Sequence, residues 1–471
     1  MRVVQSSLRG GTYPSMRDFD TLRAADLATL AALDHGDRRL VSAGVIMARV
    51  RVDDANDVEA ALAIATELRL AGPDPRDLTL DLETRLALEA ALTEAYLAAG
   101  VPVEAVMHAQ RLLAHLPTVA ADPRWRARAL ACAAAAYALD GQPDVAEHYL
   151  GEVAAVGALE GWDPDETDYM SAVAGLLLAF ADIDLPRSSR ITAALAILAE
   201  REPSARSLLL LARTVEAVNA HRMDDALGLV QRVFQGSIQP SGPSLVRGLA
   251  HIMHSMLLIA RGSPQQALAL LRDTAPSANH LICPGYARAS AYLQMREYRC
   301  VLTATAPCLR VRAEHSWWTY TSLLLRRAVA NLRLGHHRAA LDDAVEAMTI
   351  AGGIDPVAAL FLMPPEDLRA LGLLIARRRP RLIPQLRYIQ TRMAAVPPTL
   401  PPIILLPVLS QRERVVAHLL RGTLSYPQIA RELSVSTSTV KSQAIAIFRK
   451  LGVASREEAV LTLERGGFYD Y

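Results

Sequence analysis

Five times between residues 98 and 340 a short turn is followed by a helix that opens near an alanine. The phrases are AAGVPVEA (98–105), LDGQPDVA (139–146), AHRMDDA (220–226), ARGSPQQA (260–267) and RLGHHRAA (333–340). Their alanines, Ala105, Ala146, Ala226, Ala267 and Ala340, lie 41, 80, 41 and 73 residues apart. A period near 40 with two degenerate copies accounts for these intervals. Asp184–Ser188 and Glu297–Arg299 stand where the missing turns belong. Such a period is the signature of stacked helical hairpins, each burying its apolar face against its neighbours. The small residue lets the second helix pack closely on the first. The expectation is an all-α chain whose residues 18–395 form an α-solenoid, a curved right-handed superhelix with an inner groove.

The rest of that region agrees. Aromatic residues are 5% of the chain and hydrophobic residues 51%, with alanine and leucine dominant, which favours helix over sheet. Helical segments are expected at 57–70, 78–99, 103–116, 124–139, 144–155, 166–181, 204–220, 224–234, 245–261, 264–273, 317–334 and 338–350; no segment reads as a strand. The array loosely resembles tetratricopeptide-like repeats, although that family repeats every 34 residues or so and its aromatic–glycine pattern is largely missing here. The resemblance implies a partner or ligand in the inner groove, here an unknown ligand or protein.

The C-terminal 409–471 stretch is organised differently. Four short helices are signalled by their starts. Ser410 with Glu413, Ser425 with Gln428 and Ser455 with Glu458 are spaced as capping boxes, and Ser436 sits at an N-cap position. Gly452 and Gly466 supply stops. Tyr426–Leu433 and Thr437–Lys450, separated by Ser434–Ser436, have helix-turn-helix spacing. Val440, Ala444, Ile447 and Leu451 form the core stripe of the second helix. Ser438, Lys441, Ser442, Ile445 and Arg449 lie on the opposite side, about 100–180° away. Hydroxyl and N–H groups at a helix start suit phosphate oxygens, and Lys441 and Ser442 follow within reach of base edges.

Taken together, Leu409-Ser410, Arg412-Glu413-Arg414, Ile429-Ala430, Val435-Ser436, Thr439-Val440-Lys441, Arg449-Lys450-Leu451-Gly452-Val453 and Glu458-Ala459-Val460 agree in register with one pattern. The stretch resembles the DNA-binding domain of the LuxR (NarL/GerE) family of bacterial transcription regulators. The resemblance covers about 60 of the 471 residues. It implies a double-stranded DNA partner read in the major groove by Thr437–Lys450. Lys441, Ser442 and Ile445 would face base edges. Ser436, Thr437, Ser438 and Thr439 would seat the helix start, and Arg449 and Lys450 would add backbone contacts. It also implies a homodimer on DNA, with Ala459, Val460 and Leu463 of the fourth helix taking part and two-fold symmetry matching a palindromic operator; Val460 and Leu463 are expected to be exposed, with packing inside the domain as the reading set beside it. RNA polymerase is a further partner it admits. Three positions depart from the family: Thr423 replaces a glycine, Gln443 a frequent histidine, and Ile445 a basic or polar residue. An apolar Ile445 contact to a thymine methyl would stand in for a hydrogen bond. Pro427 falls in a first helical turn, where a missing N–H is tolerated.

Charge agrees with this division. Residues 407–471 carry nine Lys+Arg against six Asp+Glu, in a chain whose formal net charge is +1. Lysine occurs only at positions 441 and 450, so no G-x-x-x-x-G-K-[ST] phosphate loop can stand upstream. No catalytic constellation is found, and the expectation is a protein that is not an enzyme and needs no cofactor. The four cysteines, Cys132, Cys283, Cys300 and Cys308, lack metal-site spacing; no metal is expected, and reduced thiols are expected over a Cys300–Cys308 pairing. MRVVQSSLRGG lacks the apolar core of a signal peptide, and no apolar run reaches spanning length, so a cytoplasmic location without membrane contact is expected. An all-helical start also leaves no place for a phosphoacceptor receiver domain.

Residues 1–17 read as a flexible lead, and 396–408, with five prolines in thirteen residues, as a linker. Trp317-Trp318-Thr319-Tyr320 with His315 reads as a core anchor more readily than as a ligand-stacking wall. His336-His337, the acidic loop 160–166, and the basic run Arg377–Arg381 with Arg387 and Arg392 read as solvated surface. The alternative to a regulator is a protein-interaction scaffold whose tail does not bind DNA specifically.

Overall fold

The computed structural model describes residues 21–50, 55–68, 70, 79–116, 122–163, 167–202, 205–233, 245–272, 274, 283–312, 315, 317–351, 358–394, 407, 409–465 and 468–469. The proposed lead, 1–17, and the linker, apart from Pro407, lie outside the described residues, as do the side chains of Trp317, Trp318 and Arg392. No strand occurs among the described residues. Helices α1 (Leu27–Ala31), α2 (His35–Val50) and α3 (Ala55–Glu67) come first. Seven hairpins follow: α4 and α5 (Leu82–Ala98, Pro102–His115), α6 and α7 (Pro123–Asp140, Pro143–Glu160), α8 and α9 (Tyr169–Ala181, Leu185–Arg201), α10 and α11 (Arg206–Asn219, Met223–Val233), α12 and α13 (Leu245–Ala260, Pro264–Leu270), α14 and α15 (Pro284–Gln294, Tyr298–Arg310), and α16 and α17 (Trp317–Arg333, His337–Ala351). Helices α18 (Pro365–Arg378) and α19 (Ile383–Ala394) follow the hairpins. The tail contains α20 (Gln411–Leu420), α21 (Tyr426–Glu432), α22 (Thr437–Leu451) and α23 (Arg456–Arg465).

One turn makes all seven hairpins. Gly100, Gly141, Ile183, His221, Gly262, Arg296 and Gly335 each adopt a left-handed backbone, with φ between 53° and 83°. The N–H of the next residue then bonds the carbonyl five positions back: Val101 to Tyr96, Gln142 to Tyr137, Asp184 to Ala179, Arg222 to Ala217, Ser263 to Leu258, Glu297 to Tyr292 and His336 to Asn331. This is a Schellman closure, which satisfies carbonyls orphaned at the helix end. In three copies the sequence reads Gly-x-Pro, so glycine supplies the left-handed residue and proline opens the next helix where its missing N–H does no harm. Five residues beyond each left-handed residue stands a fully buried side chain: Ala105, Ala146, Ser188, Ala226, Ala267, Val301 and Ala340.

The two degenerate turns therefore lie at Asp184–Ser188 and Glu297–Arg299 as their spacing demands. They escape the alanine pattern because serine and valine replace alanine, and Ile183 and Arg296 replace glycine. The expected helices are all present with shifted ends. Helices α1, α2, α9, α14, α15, α18 and α19 have no counterpart among the expected segments. Several of these open on prolines, in Leu185-Pro186, Pro284 and Pro364-Pro365, which punctuate the sequence while fitting a first helical turn.

The first helices of successive hairpins face inward. Helix α12 reaches back to touch α4, and the short turn Ala358–Leu360 touches α8, so the superhelix closes across its own interior. Between α8, α10, α12 and α14 lies a chamber lined by Val173, Phe180, Leu211, Leu249, Met253 and Tyr286, with about 750 Å³ of atom-free space, mouth included. Arg326 of α16, fully buried, holds the crossing segment. Its Nη1 donates to the carbonyls of Ser322 (2.9 Å) and Ala359 (3.0 Å), and its Nη2 to that of Phe361 (2.6 Å). Its Nε donates to Ser290 Oγ at 2.5 Å, and the guanidinium lies 4.4 Å from the Tyr286 ring centroid. Burial pulls its pKa below the ordinary arginine value. Oriented carbonyl dipoles and a ring face supply the stabilisation that water would otherwise give. Tyr320 and Thr319 are buried, in keeping with a core anchor, while His336, His337 and Arg377–Arg381 are exposed. Among the described residues no helix is long and apolar enough to cross a membrane.

The turn has a signed consequence. A Cβ at Gly335 meets nothing within 4 Å, so Gly335→Ala isolates the cost of a left-handed backbone, about 1 kcal/mol. Gly151 sits exposed inside α7 with equally open space, so Gly151→Ala should stabilise by roughly 0.5–1 kcal/mol. Urea unfolding followed by circular dichroism should move the midpoint in opposite directions for the two variants; a shift in the same direction would contradict the assignment.

Candidate nucleic-acid interface

The tail helices bury a core of their own, built on Leu409, Val416, Leu420, Ile429, Val440 and Ile447. Each start signal has a structural counterpart. Glu413 N donates to Ser410 Oγ at 3.3 Å, and Ser410 N donates to Glu413 Oε2 at 2.6 Å, completing the capping box of α20. At α21 the Gln428 Oε1 accepts from Ser425 N (2.7 Å) and Ser425 Oγ (2.8 Å), with Pro427 in the first turn. The turn after α21 uses Ser434 in the left-handed region, φ 53°, and Val435 N closes it on Ala430 O at 2.9 Å. It is the hairpin turn of the solenoid, used again.

Helix α22 begins at Ser436, whose Oγ accepts from Thr439 N at 3.1 Å and lies 2.7 Å from the hydroxyls of both Ser438 and Thr439. Capping thus occupies the Thr439 N–H, while the first-turn N–H groups of Thr437 and Ser438 have no carbonyl upstream within the helix to bond and can meet an outside acceptor. Val440, Ala444 and Ile447 are buried, and Leu451 packs half-buried against the same core. Ser436, Ser438, Thr439, Lys441, Ser442, Ile445 and Arg449 are exposed, Ile445 at 65%, and Thr437 is half-buried. The structure brings the expected contact residues onto one outward face and leaves an isoleucine standing in solvent at its centre.

The two lysines have different surroundings. Lys450 Nζ lies 2.6 Å from Glu413 Oε2, the same oxygen that accepts from Ser410 N. Lys450 therefore ties the end of α22 to the start of α20, with about a third of its side chain (34%) still exposed. The Lys450 ammonium, with the Ser410 N–H, holds the Glu413 carboxyl below its ordinary pKa. Lys441, by contrast, is exposed, with no carboxylate of the described residues within ion-pair distance.

The fourth helix also differs from expectation. Ala459 and Leu463 are fully buried in the tail core and Val460 is half-buried against it, so Val460 and Leu463 are not the exposed pair expected. Helical geometry explains this: Ala459 and Leu463, four apart, share one face, and that face meets α20 and α22. The exposed apolar residue of α23 is Leu461, at 46%.

A residue whose role the sequence concealed is Arg456. Its Nε donates to Leu420 O (2.9 Å), Nη1 to Leu424 O (2.6 Å) and Nη2 to Gly422 O (2.8 Å). One guanidinium thus satisfies the end of α20 and fixes the turn into α21. Thr423, at the glycine position, does not adopt a left-handed backbone, so a side chain there meets no strain of that kind. The partners lie 32 to 36 residues away, so no local pattern announces them. Beyond α23, Tyr469 Oη donates to Ala417 O at 2.9 Å, and burial raises the Tyr469 pKa to about 12.

Residues 407–463 match the family described as bacterial regulatory proteins, luxR family. They form a LuxR-family helix-turn-helix domain at the C-terminal end of a helical-repeat chain. Similar curated proteins include an HTH-type transcriptional regulator MalT from Yersinia pestis (strain Pestoides F), 41% identical over 68 residues. Another HTH-type transcriptional regulator MalT, from Vibrio campbellii, is 37% identical over 67 residues. Each alignment covers 14% of this chain and only 7–8% of the relative, so the chain matches less than a tenth of those proteins' length.

Three variants test the tie points. Arg456→Ala should lower tail stability by about 1.5–3 kcal/mol, the range for hydrogen bonds to a charged group, and Arg456→Lys should not restore it because an ammonium lacks the guanidinium fork. Unchanged unfolding of the alanine variant would contradict the role. Because the folded Glu413 pKa lies below its unfolded value, its contribution is present above the unfolded value and lost as pH falls through the folded one. Glu413→Gln should therefore be less stable than the parent near pH 7 and converge with it only as pH falls below the ordinary glutamate range. Thermal melts across that range that stay parallel would refute the pairing.

Proposed function

We propose that this chain is a sequence-specific DNA-binding transcription regulator. Its tail reads the major groove, and its repeats respond to a ligand or protein partner. The observation that carries the reading is the outward face of α22 within a LuxR-family domain. There Lys441, Ser442 and Ile445 stand exposed, one helical turn beyond a hydroxyl-rich start. An exposed lysine without an internal carboxylate partner can donate to guanine O6 or N7, a serine to several base edges, and an isoleucine can pack on a thymine methyl. Ser436, Thr437, Ser438 and Thr439 would hold phosphate oxygens, with Arg449 adding a backbone contact farther along. The names of the relatives, transcriptional regulators, support the same reading.

Palindromic recognition would use a dimer on DNA, as two-fold half-sites require. With Ala459 and Leu463 committed to the core, Leu461 and the exposed edge of Val460 are the apolar groups α23 has left for a partner. The apolar chamber between α8, α10, α12 and α14 supports a ligand on the inner side of the repeats.

Selection of bound sequences from random duplex DNA, followed by titration at several salt concentrations, tests the proposal. Lys441→Ala should cost about 1–3 kcal/mol on the selected site and relax the preference at one base position. Arg449→Ala should weaken all duplexes alike and make the salt slope shallower by about one. Failure to enrich any sequence, with the folded tail intact, would refute the DNA-reading role and favour the scaffold.

A further inference from the structure

Two cysteines and a histidine, scattered over 33 residues of sequence, meet where the sixth hairpin joins the seventh. Cys283 is the N-cap of α14, Cys308 lies in the last turn of α15, and His315 stands in the connection to α16. One ligand atom from each lies within 4.8 Å of the others. Both thiols are buried and the imidazole is half-buried. The earlier candidate pair, Cys300 with Cys308, cannot meet: eight residues on one helix separate them by about 12 Å along its axis.

The sulfur–sulfur distance excludes a disulfide and is compatible with two ligands to one ion. The two sulfurs are 3.5 Å apart. A disulfide requires about 2.05 Å, whereas two sulfurs bound to one zinc at about 2.3 Å with tetrahedral angles stand roughly 3.7 Å apart. Space has been cleared for them. A Cβ on Gly285 would stand 2.8 Å from Cys308 Sγ and 3.4 Å from Cys283 Sγ. The His315 Nδ1 lies 3.1 Å from the Val311 carbonyl, so with the ring proton there Nε2 would be the ligand atom. A backbone carbonyl on the far ring nitrogen is the usual outer partner of a metal-bound imidazole. A thiol pair held only for a disulfide would have no use for the third group.

We propose that Cys283, Cys308 and His315 form a three-ligand site for a thiophilic divalent cation of the zinc class, with the fourth position open to water or an exchangeable ligand. Sulfur and imidazole ligands favour that class over magnesium or calcium. On binding, each thiol gives up its proton to solvent and two metal–sulfur bonds form. Two thiolates then balance the double positive charge, which suits a buried site. The ion would tie the start of α14, the end of α15 and the approach to α16 to one point. That point lies one helical turn before Tyr286, which lines the inner chamber, so metal occupancy would stiffen one wall of the chamber.

The test uses the full chain, reduced and stripped with a chelator, then titrated without oxygen with Co2+. A thiolate-to-cobalt absorption that saturates at one equivalent and is displaced by Zn2+ is expected. It should persist in Cys300→Ser and be lost in Cys308→Ser and in His315→Ala. Because a core cysteine variant can misfold, a second readout uses the unaltered sequence: Zn2+ should protect Cys283 and Cys308 from alkylation, scored by peptide mass spectrometry, while leaving Cys300 reactive. No saturable thiolate band, a band surviving in Cys308→Ser, or equal protection of Cys300 would overturn the site.

Discussion

The structure depends on one backbone constraint: a left-handed residue that ends a helix, closes its carbonyls and releases the chain into a second helix packed tightly on the first. Five residues later a buried side chain, alanine in five of the seven copies, sets how near the two helices come. Glycine meets the constraint without strain at Gly100, Gly141, Gly262 and Gly335. Ile183, His221 and Arg296 meet it at a cost of roughly 1–2 kcal/mol each, which the packed hairpins around them must offset. The tail reuses the device at Ser434, where it sets the angle of the helix-turn-helix, and at Gly452, where it ends α22.

Above that constraint, charged groups with fixed partners hold the parts that local sequence leaves undetermined. Arg326 holds the segment that crosses the inside of the superhelix, through four donated bonds and a ring face. Arg456 does the same for the α20–α21 turn, and the Glu413–Lys450 pair joins the first and third tail helices. Each commits a cation to the fold. The DNA-reading proposal rests on the complement: Lys441 and Arg449 are charges on the outward face of α22 that the fold does not require.

Much of this was legible in the sequence. The hairpin period, the glycine turns and the marker alanines are local, and they led to the solenoid and even to the two degenerate turns. The capping signals of the tail are local too, and Ser410, Ser425 and Ser436 stand where they were read. What the sequence concealed is non-local. Burial of Ala459 and Leu463 depends on which face of α23 meets α20 and α22. The tie of Lys450 to Glu413 spans 37 residues, and the four acceptors of Arg326 come from three segments. The closing of the inner groove depends on curvature accumulated over several hairpins. The Cys283–Cys308–His315 cluster has no recognisable spacing because three different elements deliver its members. Several of the helices without a counterpart in the sequence reading open on prolines, which punctuate a sequence even where a first turn accepts them.

The central claim is that the exposed face of α22 selects DNA sites for the whole chain. Genome-wide occupancy of the full-length protein, compared with a variant carrying Lys441→Ala and Ser442→Ala together, addresses it most directly. The account predicts a limited set of sites sharing a two-fold symmetric sequence, lost in the variant while the protein remains folded and abundant. Diffuse occupancy that the double substitution leaves unchanged would contradict it and would make the repeats, through a protein partner, the working part of the molecule.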